Sequence, residues 1–526
     1  MPSQHYARYS QTEPGTSTSA LELQTSAGTQ NELATAGLLS VSRGTIIDDA
    51  DLSNWSVDSA FPATTLSAGA DGTRWFPQSI AIGGPTSSSS TDYGMERDVS
   101  VGAITDLTLP IHVLLHVYFA GVTLSPPRNA IQVTLWHDHS GSPNDYSVFT
   151  ADSSNYQCVG FTPFVIIPDW VNHSGSLQDG TDSERGYCPK QVTSSPVLMA
   201  RGSAGHWQPG QGISRINITL VGHASSNGPV TYGGMLHGWR VTPSVAFCMD
   251  DARINVLSTT YPSFVGADAN KVGKNAYQYL KEKGMAATIG VIREDSESGG
   301  YLDNDDLVSL DADGFEICPH GASALTTSPF SDADDAFDGT GVVGGSNQTD
   351  GVLWNREYTS TISSRGAGTY IYPTNNYRSA QAAYQQQLWS RFDSESFRIA
   401  RTSWPGWFMF PIGEWVDAKP SWYAFPGMDM ETGSGDSSTT DMYPTHGALK
   451  IGLQQLIYAG GAAALQLHNL TARNAVPSDS DTPATGATTM YIEDLFEIID
   501  WLADREDEIK VLTLGELRDQ YSSLGV

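Results

Sequence analysis

Several apolar segments in the second half of the chain end in residues that can transfer protons or bind metal ions. AFCMDD ends in Asp250 and Asp251, FEICPH in His320, TYIYP in Tyr372 and Pro373, and AAALQLH in His468. Carboxylates and imidazoles are the side chains that hold divalent metals and move protons near neutral pH. A parallel barrel gathers the C-terminal ends of its strands around one pocket. The four endings therefore predict one polar site.

The segments between these endings alternate between strand-like and helix-like patterns. NKVGKNAYQYLKEKG has the pattern of a helix with a glycine stop, and DNDDLVSLDADG precedes the strand FEICPH. The same alternation continues to IKVLTLGELRDQY, so we predict an α/β barrel over 244–526. Two stretches, 324–352 and about 404–443, interrupt it and are predicted to be surface loops at the barrel's rim.

The order of these endings resembles that of NodB-type polysaccharide deacetylases over roughly 245–522. That family carries a strand ending in two aspartates, a later strand ending in histidine, a proline-bearing loop and a late Leu-x-His. The resemblance implies Asp250 as general base and His468 as general acid. It implies Asp251 and His320 as metal ligands, and Tyr372 and Pro373 as substrate-binding residues.

This sequence departs from the family at its second metal histidine. Ala324 stands four residues after His320, where the resemblance calls for a ligand. Two protein ligands leave an open site of low affinity, so the expected cofactor is a divalent metal, zinc if any, bound weakly or not at all. His446 is a candidate substitute ligand. The family's arginine ahead of the motif proline is also absent from YIYPTNNY.

The first half of the chain has a different pattern. Residues 1–43 are rich in Ser, Thr, Gln and Gly, which indicates an arm that attaches to a partner. Residues 44–243 contain short alternating apolar runs separated by turns, typical of a β-sandwich. The stretch resembles jelly-roll carbohydrate-binding modules. Candidate sugar-stacking residues are its six tryptophans, Trp55, Trp75, Trp136, Trp170, Trp207 and Trp239.

Charge and cysteine content narrow the functional classes. The chain has 28 Lys and Arg against 58 Asp and Glu, a net charge of −30, and no basic cluster that could hold nucleic acid. At molar salt the Debye length is about 3 Å, so such a surface suits a halophilic source. The N-terminus has no secretory pattern, and we expect no membrane insertion. Of the four cysteines, Cys158 and Cys188 could form one disulfide.

The arm, sandwich and barrel together resemble a tail fibre or spike protein of a haloarchaeal tailed virus. The favoured hypothesis is a virion protein that recognises host cell-surface glycan or glycoprotein through the deacetylase-like region, with catalysis weakened or lost. The alternative is an active metal-dependent N-deacetylase or carbohydrate esterase. Because Ala324 replaces one metal-binding histidine, the sequence does not decide whether the chain is an enzyme. A cellular surface enzyme is a third reading. The arm would dock on other virion proteins, and we expect a homo-oligomer such as a trimer.

Overall fold

The computed structural model describes residues 41–523 except 43, 70–75, 77, 84–90, 118–129, 138–145, 153–159, 169–197, 200, 206, 224–229, 297, 322–331, 339–350, 374–381, 406–421, 424, 432–445 and 479–487. The first region consists of β1 Val41–Ser42, β2 Thr45–Asp48, β3 Ser56–Val57, β4 Thr65–Ala68, β5 Ile80–Gly83, β6 Thr91–Ile104, β7 Ile111–Val117, β8 Ala130–His137, β9 Tyr146–Asp152, β10 Gly160–Ile166, β11 Leu198–Met199, β12 Arg201–Gly205, β13 Gln211–His223, β14 Val230–His237 and β15 Arg240–Val241.

Thirteen of these strands form two sheets packed face to face, and β1 pairs with β15 in a separate two-stranded sheet. One has the order β12-β9-β8-β13-β6-β3, and the other has the order β11-β10-β7-β14-β5-β4 with β2 also paired to β14. Neighbouring strands are antiparallel except β10 and β11. The alternation of apolar and polar residues explains why the two sheets pack together. Ile216 and Ile218 of β13 are buried in the shared core, while Asn217 between them is only partly buried. Residues 1–40, and with them most of the predicted arm, lie outside the described part of the chain.

The second region begins at Ser244. Its strands are β16 Ser244–Met249, β17 Ala287–Val291, β18 Glu316–Pro319, β19 Thr369–Ile371, β20 Ile399–Pro405, β21 Phe425–Asp429, β22 Ala462–Leu467, β23 Asn469–Thr471, β24 Thr489–Tyr491 and β25 Lys510–Val511. Its helices are α1 Ile254–Ser258, α2 Ala276–Glu282, α3 Asn304–Ala312, α4 Ala333–Asp338, α5 Val352–Ile362, α6 Ala382–Ser394, α7 His446–Ala459, α8 Ile492–Ala503 and α9 Leu514–Ser523.

A curled parallel sheet organises this region. Its order is β18-β17-β16-β22-β21-β20-β19, with β25 also paired to β16. The two ends of the curl meet where His320 forms an isolated parallel bridge with Ile371. β16 and β22 are buried along their whole length, which explains their continuous apolar sequences. The prediction of an all-β region followed by a mixed α/β region is confirmed at this level.

Side-chain caps explain where the predicted helices begin. The segment NKVGKNAYQYLKEKG becomes helical only at Ala276, because Asn275 and Gln278 form a reciprocal capping box there. Gly284, with φ 71°, follows the end of that helix and confirms the predicted stop. Asp303 and Asp306 form the same arrangement at the start of α3. Local polar residues therefore set the boundaries between the helices and the strands that carry the site.

The two predicted surface excursions are wrong in part. The stretch 324–352 contains α4, and the stretch 404–443 contains β21, an inner strand between β20 and β22. β21 has the sequence FPGMD, and proline with glycine in five residues is more typical of a loop than of a buried strand. Its neighbours on both sides supply the pairing that its own sequence does not predict.

An apolar core joins the curled sheet to the sandwich. Leu114 and Leu236, on the seven-stranded sheet, belong to the same buried cluster as Val245 and Phe247 of β16. Among the described cysteines, Cys248 and Cys318 are buried free thiols, and burial is the main cause that raises both pKa values above the ordinary range. Cys158 and Cys188 lie outside the described residues. No helix in the described part of the chain is long and apolar enough to span a membrane.

Candidate active site

The strand ends predicted to converge do meet on one side of the curled sheet. β16 runs into a 3-10 turn that carries Asp250 and Asp251, His320 follows β18, and His468 follows β22. Nε2 of His320 lies 3.1 Å from Oδ1 of Asp251, and Nε2 of His468 lies 3.7 Å from Oδ2 of Asp250. The two aspartates therefore face different histidines.

Asp250 is a buried carboxylate held by a buried guanidinium. Arg401, in the middle of β20, donates from one terminal nitrogen to Oδ2 of Asp250 and from the other to Oε1 of Gln466, 2.8 Å away. Arg401 is fully buried and Asp250 is 2% exposed, so the positive charge compensates a carboxylate that burial alone would penalise. Oδ1 of Asp250 is buried and has no hydrogen-bond partner among the described residues.

His468 is oriented by a carboxylate on its other side. Its Nδ1–H donates to Oε2 of Glu431 over 2.8 Å, and its backbone N–H donates to Oε1 of the same residue. Burial is the largest influence and acts to lower the pKa of His468. The hydrogen bond to Glu431 and the negative charges of Glu431, Asp250 and Asp251 outweigh it and raise that pKa to about 9. At neutral pH the ring is therefore an imidazolium that can donate a proton.

Asp251 sits at a backbone turn that few residues adopt. Its φ is 64° and that of Ala252 is 50°, both in the left-handed region. Oδ1 faces His320, while Oδ2 accepts from Nε and a terminal nitrogen of Arg253 over 3.1 and 2.9 Å. Burial, the largest influence, acts to raise the pKa of Asp251. The hydrogen bond and charge of His320, with the charge of His468 and a hydrogen bond from Arg253, hold it well below its usual range.

The hydrogen bonds of His320 suit a metal ligand. Its Nδ1 lies 2.8 Å from the carbonyl oxygen of Ile371, an acceptor, so Nδ1 carries a proton. In the neutral ring, Nε2 then presents a lone pair towards a carboxylate oxygen of Asp251. Two acceptors 3.1 Å apart need a proton or a cation between them. The pair fits the donor chemistry of a zinc-type site.

A third protein ligand is not among the described residues. Ala324 lies outside them, and the part of the chain that the structure describes contains no group of three or more His, Cys, Asp or Glu arranged to hold a metal. His446, the candidate substitute, begins α7 with Nδ1 3.8 Å from Oε2 of Glu497. Among the described residues it does not form a group of three metal-ligating side chains with Asp251 and His320.

Tyr372 and Pro373 lie close to the site but are buried. The backbone N–H of Tyr372 donates to the carbonyl of Arg401 over 2.9 Å, which ties this segment to β20. Its ring is 1% exposed and packs against Tyr370 and Phe392 with ring centroids 5.5 and 5.6 Å apart. This is the environment of a core residue, so a direct substrate contact by the Tyr372 ring stays a prediction.

The sequence matches no known protein family and no curated protein. Among solved structures, a Streptococcus pyogenes deacetylase in complex with acetate is similar at 15% identity and a TM-score of 0.22, over 31% of this chain and 57% of that one. A Bacillus cereus polysaccharide deacetylase is similar at 11% identity and a TM-score of 0.22, over 69% and 94%. A non-crystalline cellulose specific carbohydrate-binding module is similar at 9% identity and a TM-score of 0.18, over 37% and 91%.

The match to the first of these structures spans little more than half of that deacetylase's length. At such TM-scores these likenesses carry no conclusion about function.

Three site residues were missed in the sequence. Arg401 lies within β20, and an arginine in an apolar strand is itself a signal, because its charge requires a partner. Glu431 lies two residues after the end of β21, in the stretch that the sequence predicts to be a loop. Gln466 is the penultimate residue of β22, two positions before His468. Arg401 supplies the ion pair to Asp250 even though the arginine ahead of the motif proline is absent.

The site contains one side chain that can accept a proton and another that can donate one. Asp250 offers a buried carboxylate oxygen without a partner among the described residues, and His468 offers an imidazolium N–H on the same side of the sheet. A base and an acid whose environments differ in this way suit hydrolysis of an amide or ester. Asp251 and His320 would hold a metal beside them.

Proposed function

We propose that this protein acts on glycans and that its site removes acetyl groups from sugar residues by hydrolysis. The observation that carries the proposal is the acid–base pair, with Asp250 held by Arg401 and His468 held by Glu431. Asp250, Arg401 and Glu431 are buried and His468 is partly buried, so both reactive groups are fixed before a substrate arrives. Buried ionisable groups with compensating charges of this kind are frequent at functional sites.

In this reaction water is added across the bond between the acetyl carbon and the sugar nitrogen. Oδ1 of Asp250 accepts a proton from the attacking water, and a C–O bond forms at the acetyl carbon. Nε2–H of His468 gives its proton to the leaving nitrogen as the C–N bond breaks, which yields acetate and a free amine. Glu431 stabilises the imidazolium before that transfer, and Arg401 orients Asp250.

A divalent metal held by Asp251 and His320 would polarise the acetyl carbonyl and acidify water. The chain supplies two ligands there among its described residues, and Arg253 already engages the outer oxygen of Asp251. Metal dependence with weak affinity is therefore part of the proposal. Zinc is the preferred ion, because one imidazole and one carboxylate form part of the ligand sets that zinc accepts.

A second candidate function is glycan recognition without turnover, the hypothesis favoured by the sequence. The engagement of both Asp251 oxygens, by His320 and Arg253, supports it because a metal must displace or rearrange those contacts. A virion setting, host-surface glycan or glycoprotein as the partner, and docking by residues 1–43 remain predictions of the sequence alone. So do the homo-oligomer and the assignment of a jelly-roll module and a NodB-type barrel.

Acetate release distinguishes the two candidates. The protein is assayed at molar salt with Zn²⁺ or Co²⁺ against N-acetylated and O-acetylated oligosaccharides, as wild type, as Asp250→Asn and as Glu357→Gln. Glu357 is an exposed carboxylate and serves as the matched control. Release that only Asp250→Asn abolishes supports hydrolysis. Saturable binding of the same oligosaccharides without release supports recognition, and neither release nor binding refutes both.

A further inference from the structure

The six-stranded sheet of the sandwich has one buried and one exposed face. On β13, Ile216, Ile218 and Leu220 point into the core shared with the other sheet. Arg215, by contrast, is exposed and Asn217 is partly exposed. The seven-stranded sheet differs, because its second face packs on the curled sheet through Leu114 and other apolar residues. Among the described residues, outward side chains such as Arg215 are therefore available to a ligand.

An aromatic pair lies on this exposed face. Trp136 of β8 and Tyr146 of β9 are directly opposite each other in the strand register, with ring centroids 4.9 Å apart and planes at 48°. Tyr146 is 37% exposed and Trp136 is partly buried. Among the described tryptophans predicted to stack on sugar, Trp55, Trp207 and Trp239 are buried in the core. Trp75 and Trp170 lie outside the described residues.

Hydrogen bonds fix this pair and place acceptors beside it. Nε1 of Trp136 donates to Oδ1 of Asn217 over 2.8 Å. The Asn217 amide nitrogen donates to Oδ2 of Asp58 over 2.9 Å and to Oε2 of Glu96 over 3.3 Å. Arg215 is the cross-strand neighbour of both Trp136 and Asp98, and its Nε donates to Oδ1 of Asp98 over 2.7 Å. The aromatic rings of Trp136 and Tyr146 and the hydrogen-bond acceptors of Glu96 and Asp98 thus lie next to each other on one face of the sheet.

The charge of this face limits what it can bind. The carboxylates of Glu96 and Asp98 pair with the guanidinium of Arg215, and the buried carboxylate of Asp58 accepts from Asn217 beside them. Carboxylates accept hydrogen bonds from hydroxyl groups and repel uronate or sulfate groups. Rigid aromatic rings next to such acceptors match a pyranose, which has apolar C–H faces and hydroxyl groups around its edge.

We propose that this outer aromatic face, formed by Trp136, Tyr146, Asn217, Glu96, Asp98 and Arg215, binds a glycan chain that carries no acidic groups. Sugar rings stack on Trp136 and Tyr146, and their hydroxyls donate to Glu96 and Asp98 while Arg215 donates to the glycan oxygens. The face belongs to the six-stranded sheet and shares no residue with the site around Asp250 and His468. It gives the protein a second glycan contact and does not rest on the proposed hydrolysis.

Calorimetric titration of the full chain at molar salt tests this binding. The probes are cellohexaose and N-acetylchitohexaose as neutral chains and hexagalacturonate as an acidic one. We expect the wild type to bind at least one neutral chain, and Trp136→Ala and Tyr146→Ala each to weaken that binding at least tenfold. Trp354→Ala is the matched control, because Trp354 is a partly buried tryptophan stacked by Arg293 on α5.

The results that overturn the proposal are equally definite. The proposal is wrong if neither neutral chain binds, or if Trp136→Ala and Tyr146→Ala bind as tightly as wild type. It is also wrong if hexagalacturonate binds as tightly as the neutral chains. Tyr146 is exposed, so Tyr146→Ala keeps the test valid if Trp136→Ala unfolds. Trp136→Ala is expected to leave acetate release from a soluble N-acetylated disaccharide unchanged. Failure of this inference is therefore distinguishable from failure of the proposed hydrolysis.

Discussion

Replacing Glu431 by glutamine is expected to lower the pKa of His468 and change how stability depends on pH. Glutamine keeps an oxygen that can accept from Nδ1–H of His468 but carries no charge. Burial acts to lower the pKa of His468, but the hydrogen bond and charge of Glu431 outweigh burial and raise this pKa to about 9. Without that charge, burial acts against the imidazolium more strongly, and the pKa is expected to fall to its ordinary range near 6.5 or below.

The size of the effect follows from the two pKa values. A histidine that titrates at about 9 in the folded protein and at about 6.5 when unfolded favours the folded protonated state by roughly 3 kcal/mol. Because the folded pKa is the higher one, this stabilisation is fully present below pH 6.5 and is lost as the pH rises to about 9. His468 is 19% exposed, so solvent screens little of it. Glu431→Gln should remove most of this pH-dependent part.

Two measurements check this expectation. Guanidinium chloride unfolding at about pH 6 and pH 9.5 gives the difference in free energy of unfolding between these conditions for each protein. The Cε1–H resonances of the 12 histidines are followed over the same range, with His468 identified by its absence in His468→Gln. Glu497→Gln is the matched control, since Glu497 lies beside another buried histidine, His446. It should leave the titration of His468 unchanged.

One result would refute the reasoning. If His468 titrates at the same pH in wild type and Glu431→Gln, the contact between Glu431 and His468 does not control the protonation of the proposed acid. A shift of similar size in Glu497→Gln would also contradict it, because the effect would then come from overall charge rather than from this pair.

Three further substitutions have defined outcomes. Arg401→Met is expected to lower the free energy of unfolding by about 3–5 kcal/mol because it leaves Asp250 buried without its partner, and adding Asp250→Asn should recover much of that loss in chemical unfolding. Arg253→Ala frees one oxygen of Asp251, so Co²⁺ binding followed by absorption should tighten at least threefold, and unchanged affinity would contradict the role given to Arg253. Glu316→Ala leaves buried donors without their acceptor and should cost about 1–3 kcal/mol in thermal unfolding. Burial raises the pKa of Glu316, so wild type should lose stability as the pH rises from about 4.5 through that raised value, and the variant should lack this part.

The strand-end pattern predicted the centre of the site because it depends on local sequence. Asp250, Asp251, His320 and His468 each follow a short buried strand, and parallel strands bring such ends to one side of a sheet. That geometry requires only that the strands be parallel and in one sheet. It does not require knowledge of which strand pairs with which.

The residues that hold the site could not be predicted in the same way. Arg401 is 151 positions from Asp250, and Glu431 is 37 positions from His468, so their contacts depend on strand order. β21, which places Glu431, has proline and glycine in five residues and is a strand only because β20 and β22 flank it. The sequence also could not select Trp136 from the six tryptophans, because strand register decides which ring faces solvent.

His320 contributes both to the closure of the curled sheet and to the proposed metal site. Its backbone bridges to Ile371, and its Nδ1–H donates to the carbonyl of the same residue. The ring therefore cannot turn without loosening the seam between the first and last strands of the curl. Folding itself preorganises Nε2, and a cation arriving there meets a nitrogen whose direction is already set. An ion bound to Nε2 would in turn stabilise the closed sheet, so its affinity could be determined from the rise in the unfolding temperature.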